Sequence, residues 1–194
     1  MNVAELLSAA IDLATDGFQT DAGLTIDDIQ RDLDLTEWEL ALGMLEDVSD
    51  EYPQTVRFWQ LLAEAAELMR LDRSVAWCHW RAYESANGMI RADLVLATPE
   101  EGERRSAIPG AGVLRPMWDI GLRTSTGEPD LAIARIWVEF APALEPGQNG
   151  SIRLAPLTPQ LWRHLTPGDL ITMHEVAAPT GVAEIVSVLP PVLS

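Results

Sequence analysis

The chain has 194 residues, with 30 Asp and Glu against 13 basic residues and a formal net charge of −17. That balance argues against nonspecific binding to a phosphate backbone, which needs arginines and lysines to displace counterions. No segment approaches the roughly 20 apolar residues of a membrane span, and the first residues lack the basic, apolar, small-residue order of a secretion signal, so a cytoplasmic protein is expected. The single cysteine, Cys78, has no partner in the chain for a disulfide, in keeping with a reducing compartment.

Residues 2 to 15, NVAELLSAAIDLAT, set Val3, Leu6, Leu7, Ala10, Ile11 and Ala14 on one helical stripe behind Asn2 as a cap. A polar loop, TDGFQTDAG, precedes TIDDIQRDL, where Thr25 followed three residues later by Asp28 predicts a short second helix. TEWELALGMLEDV opens with Thr36 and Glu39 at capping-box spacing and directs Leu40, Met44, Leu45 and Val48 toward a core. After Tyr52 and Pro53, Thr55 caps TVRFWQLLAEAAELMRL, whose wide apolar face of Phe58, Trp59, Leu61, Leu62, Ala65, Ala66, Leu68 and Met69 predicts a central helix. RSVAWCHWRAYESAN, residues 73 to 87, predicts a fifth helix that ends at Gly88, where a left-handed residue is commonly needed. Short loops between these helices imply an antiparallel bundle.

Beyond Gly88 the apolar period falls from 3.6 to 2. Six strands are expected at 90–97, 115–124, 132–140, 150–157, 169–176 and 181–189, separated by Pro and Gly turns, which points to a small barrel or sandwich. In ARIWVEF, Ile136, Val138 and Phe140 share one face and Arg135, Trp137 and Glu139 the other. Proline and charge change at the same place. Only Pro53 precedes position 90, and twelve prolines follow it; residues 1 to 89 carry 18 Asp/Glu and 5 Arg, net −13, and the remainder 12 and 8, net −4. The expectation is a two-domain α+β protein, with an acidic helical bundle over 1–88 and a β-barrel over 90–194.

The punctuation of the second half is more specific than its period. "DLVLATPEEGERR", "LRPMWDIGLRT", "TPGDLITMHE" and "TGVAEIVSV" follow one another in the order and spacing of the C-terminal β-barrel, the third domain, of elongation factor Tu, which this half resembles. The resemblance implies a six-stranded barrel. It places Gly102, Arg104, Arg105, Arg115 and Pro116 at the family's motif positions, while Glu103 stands for a second glycine, Met117 and Trp118 for a Gln-Phe pair, and the REGGR-type loop is missing. No G-x-x-x-x-G-K-[ST] occurs, so the phosphate cradle of GTP hydrolysis is absent from this sequence. Residues 36 to 71 are similar to helical segments of small immunity proteins encoded beside polymorphic toxins, through a WELAL-type helix followed by an LLAEA-type helix. That similarity implies a basic toxin as partner.

Candidate residues follow from these patterns. The acidic run Asp27, Asp28, Asp32, Asp34, Glu37, with Trp38 beside it, matches the charge and aromatic content of a surface that binds a basic protein. Against that stands a solvated face that only keeps the protein soluble. Arg104 and Arg105 are candidates to anchor an acidic partner surface, or else to pair with the neighbouring glutamates on an exposed loop. Trp137, bordered by Arg135 and Glu139, is a further candidate contact, the alternative being that it seals one domain against the other. Cys78 lies in the apolar run VAWCHW and reads as a small hydrophobe rather than a nucleophile. His79, His164 and His174 are dispersed and lack metal-ligand spacing, so neither metal nor cofactor is expected. A protein-binding, non-enzymatic role leads; a translation-linked factor and an enzyme with a noncontiguous acidic site remain as other classes.

Overall fold

A computed structural model describes residues 1–102, 104–175 and 178–192. The chain divides into two units, Met1–Asn87 with Pro191 and Val192, and Gly88–Pro190. Glu103 and Val176, the last residue of one expected strand, lie outside the described residues.

Five helices make the first unit among the described residues: α1 (Val3–Ile11), α2 (Ile26–Asp34), α3 (Trp38–Glu46), α4 (Val56–Met69) and α5 (Asp72–Asn87). Their starts follow the side chains that satisfy the orphan N–H groups of a first turn. Asn2 Oδ1 accepts from Glu5 N–H at 3.0 Å while Glu5 Oε2 accepts from Asn2 N–H at 2.9 Å, a reciprocal box. Thr55 Oγ1 accepts from Phe58 N–H at 3.3 Å at the head of α4. That helix is the centre of the core: Phe58, Trp59, Leu61, Leu62, Ala65 and Ala66 are all buried, together with Leu6, Leu7 and Ala10 of α1 and Ile29 and Leu33 of α2. Removing a side chain such as Leu62 from water stabilises by about 1.5–3 kcal/mol. Gly88 ends α5 at φ +96°, a conformation that costs glycine little. Val192 N–H returns to Ser85 O at 2.8 Å.

The second unit is a closed antiparallel barrel. Its strands are β1 (Met89–Leu96), β3 (Met117–Asp119), β4 (Ala132–Val138), β6 (Asn149–Pro156), β7 (Leu170–Glu175) and β8 (Ala178–Leu189); β2 (Ile108–Pro109) and β5 (Ala143–Leu144) pair separately. Round the barrel the order is β1-β6-β4-β3-β7-β8, and β8 closes on β1. Alternation decides what faces in: Ile90, Ala92, Leu94 and Leu96 from β1, Ala134, Ile136 and Val138 from β4, and Ile152 and Leu154 from β6 are buried around Trp118 and Trp162. Those two rings meet edge to face with centroids 6.5 Å apart. Where β8 crosses β1, a Cβ on Gly181 would lie 2.9 Å from Val95 O, so only glycine fits.

Four expectations need correction. Leu68 does not join the buried face of α4 and is 56 % exposed. Phe140 does not share the inward face of Ile136 and Val138: its φ is +59°, which turns the chain out of β4 and leaves the ring 84 % exposed. The expected strand 115–124 contributes only Met117–Asp119 to the barrel, because Gly121 takes φ +87° and Asp119 Oδ1 accepts its N–H at 2.9 Å, turning the chain away. Thr36 does not cap α3. It closes α2 instead, at φ +64°, with its N–H on Leu33 O and Glu37 N–H on Asp32 O, both at 3.0 Å. That is a Schellman closure, and it needs a left-handed residue where an N-cap needs an extended one. As a result α3 starts at Trp38 and buries Ala41, Leu42 and Leu45, and Leu40 faces solvent.

Candidate functional site

The displaced start of α3 creates the most distinctive surface of the helical unit. Every residue from Asp34 to Leu40 is exposed: Asp34, Leu35, Thr36, Glu37, Trp38, Glu39 and Leu40. Leu35 is 64 %, Trp38 38 % and Leu40 53 % exposed, so three large apolar side chains and three carboxylates share one α2–α3 turn. Large side chains of that kind, set among charges, characterise protein-binding surfaces more than solvated ones. The turn itself is held in place: two backbone hydrogen bonds close α2, and Ile29 and Leu33 anchor the helix from below.

The acidic candidates are not equivalent. Asp28 has a structural task, accepting from Thr25 N–H at 3.0 Å and from Thr25 Oγ1 at 2.8 Å at the head of α2. The Thr25 backbone N–H, more than any other group, holds its carboxyl below the ordinary carboxylate range, with the Thr25 hydroxyl and Arg31 adding to it. Asp34 accepts from Gln30 Nε2 at 2.9 Å across one turn and stays exposed. Asp27 and Glu37 are exposed and Asp32 is partly so. Leu35, Glu39 and Leu40 belong to the same surface, although the sequence pattern assigns Leu40 to the core and Glu39 to a capping box and leaves Leu35 aside. The signal was there in Leu35, which falls outside the inward stripes of both neighbouring helices.

The other three candidates belong to the barrel unit and sit differently from one another. Arg104 is not on an open loop. It is buried, with Nη1 paired to Glu175 Oε1 and Nη2 donating to Ala107 O at 2.8 Å, so its guanidinium ties the loop after β1 to the end of β7. Arg105 is exposed and reaches Gly102 O at 3.4 Å. Trp137 is 5 % exposed and therefore not an open aromatic. Near it on the strands runs an arrangement that sequence spacing does not reveal: Glu139 accepts from Arg153 Nε at 2.8 Å through Oε1 and from Arg91 Nε at 2.9 Å through Oε2. These residues are 14 and 48 positions apart, and only the barrel register brings them together.

The cysteine belongs to a small, partly buried cluster. Glu46 Oε1 accepts from Cys78 Sγ at 3.3 Å, Glu46 Oε2 from Ser74 Oγ at 3.1 Å, and Glu46 O from Trp77 Nε1 at 3.3 Å. Burial pushes the Cys78 thiol far above its ordinary range, and the facing Glu46 carboxylate pushes it further. A thiol held protonated is a poor nucleophile. Burial also raises the Glu46 carboxyl, against the hydrogen bonds from Cys78 and Ser74. Among the described residues no group of three or more His, Cys, Asp or Glu is placed to hold a metal ion. No described helix is long and apolar enough to cross a membrane.

No known protein family matches this chain, and no curated protein matches its sequence.

Proposed function

We propose that this protein is a binding module that captures a basic protein through the α2–α3 turn, with Asp27, Asp32, Asp34, Glu37 and Glu39 supplying the field and Leu35, Trp38 and Leu40 the apolar contact. The uninterrupted exposed run from Asp34 to Leu40 carries this reading. A surplus of carboxylates around exposed apolar groups suits a partner whose arginines and lysines surround an apolar patch, because complementary potentials speed encounter and reject like-charged competitors. The similarity of residues 36 to 71 to toxin-immunity helices supports a basic toxin as that partner. The barrel, with its likeness to the third domain of elongation factor Tu, then acts as a rigid support or a second contact.

Affinity purification from the native host identifies the partner, and stopped-flow association measures the surface. The triple variant Asp32→Arg, Asp34→Arg, Glu37→Arg is expected to lower the on-rate about tenfold or more at low salt, with the loss shrinking as salt rises. Trp38→Ala is expected to raise the off-rate, costing about 2 kcal/mol of binding. An unchanged on-rate for the triple variant at low salt rules this surface out.

A further inference from the structure

Two acidic residues occupy opposite register positions on the outside of the barrel. Asp93 of β1 is the direct partner of Glu184 of β8, and both are exposed. Side chains directly opposite in an antiparallel pair have Cβ atoms about 5 Å apart, and like charges there are destabilising. Asp93 has a neutral companion, Ser151 of β6, whose hydroxyl donates to Oδ1 at 2.8 Å. Among the described residues neither Asp93 nor Glu184 has a cation against it. Arg91, two positions along β1, has its Nε committed to Glu139.

The surroundings of this pair are apolar and open. Val95 of β1 is the direct partner of Val182 of β8, and Leu170 of β7 is the partner of Glu184. These three are 57 %, 44 % and 68 % exposed. Alternation puts Asp93, Val95, Glu184, Val182 and Leu170 on one outward face of three consecutive strands. A sheet face that exposes large side chains and also sets two carboxylates opposite each other breaks two rules of strand design at one place, and such breaks mark sites shaped by something other than folding. An arginine suits the gap, since its planar fork can bridge two carboxylates while its stem lies on apolar surface.

We infer that the outer face of β7-β8-β1 is a second protein-docking surface, which takes an arginine flanked by apolar side chains, the guanidinium bridging Asp93 and Glu184 and the apolar groups resting on Val95, Val182 and Leu170. It lies in a different unit from the α2–α3 turn and does not rest on the reading given for that turn.

The test is an amide NMR titration of the full chain with the capped pentapeptide Val-Ser-Arg-Ser-Val and with the same peptide carrying Glu for Arg. The arginine peptide is expected to shift the amides of residues 93–95, 170–172 and 182–184 with a dissociation constant on the order of millimolar, and the glutamate peptide to leave them in place. Glu184→Lys, which gives Asp93 an internal partner, is expected to abolish those shifts and raise Tm by about 1–3 °C. The α2–α3 triple variant is expected to keep the shifts, so failure of one surface is distinguishable from failure of the other. The inference falls if both peptides shift this face equally or the arginine peptide leaves it unmoved at about 10 mM, well above a millimolar constant. A Glu184→Lys variant that melts lower also overturns it. So does a concentration-dependent dimer that Glu184→Lys disrupts, since the face then serves a second copy of this chain.

Discussion

In the helical unit Asp34, Glu37 and Glu39 crowd one exposed turn, while in the barrel Glu139 sits between Arg91 and Arg153 and Glu175 is paired with Arg104. The difference follows from how the two structures form. A helix closes its hydrogen bonds within four residues, so its outer face can carry surplus charge at a cost of a few tenths of a kcal/mol per like pair. A barrel strand meets residues from far along the chain at fixed separations, and a charge buried against it requires a partner. Exposed like charge costs little along a helix turn, whereas like charges directly opposite on neighbouring strands repel at fixed separation, which is why Asp93 and Glu184 stand out.

The contrast predicts that damage to the barrel core stays in the barrel. Trp118→Ala removes a fully buried ring and is expected to cost about 3–5 kcal/mol. Hydrogen exchange should then rise in residues 89–189 while the amides of α4 keep their protection. Equal loss in both units would show that they unfold as one. Glu139→Gln probes the matched charge: it leaves Arg91 and Arg153 without the carboxylate they share, at an expected cost of about 3 kcal/mol, measurable by urea denaturation. A smaller effect than that of an exposed carboxylate such as Glu39→Gln would remove the distinction between the units.

Thr36→Gly tests the helical unit's strained turn. A β-branched residue at φ +64° is costly, and glycine is expected to stabilise by about 1 kcal/mol without moving α3. The smallest effect is expected from pH. The Glu46 carboxyl is raised by burial, so the native state favours its neutral form. Its contribution is full below the unfolded carboxylate value and is lost as pH rises through the raised native one. Glu46→Gln should match the parent at low pH and be the more stable of the two above that window, as checked by thermal melts across the range. Asp28, which is lowered, acts in the opposite sense: its contribution is present above the unfolded value and is lost as pH falls through the native one.

Local chemistry made much of this fold readable from the sequence. Asn2 with Glu5, Thr25 with Asp28, Thr55 and Gly88 mark helix ends by bonds or dihedrals confined to a few residues. The fall of the period from 3.6 to 2 after Gly88 gave six strands, because burial on one face imposes that period on each segment separately. The acidic run of α2 and its aromatic neighbour Trp38 could be named for the same reason.

What only the tertiary structure decided is where local preferences compete or distant residues meet. Thr36 suits either the end of α2 or the start of α3, and the core contacts of Ala41, Leu42 and Leu45 select the first, which exposes Leu40. Phe140 continues a perfect alternation, yet its backbone turns left-handed where the chain leaves β4. Glu139 with Arg91 and Arg153, and Asp93 against Glu184, are set by register across the closed barrel, and Arg104 with Glu175 by the loop after β1 meeting the end of β7. A sequence carries the period of each strand, but the pairing of strands depends on closing a sheet through loops of many lengths, and no local pattern encodes that closure.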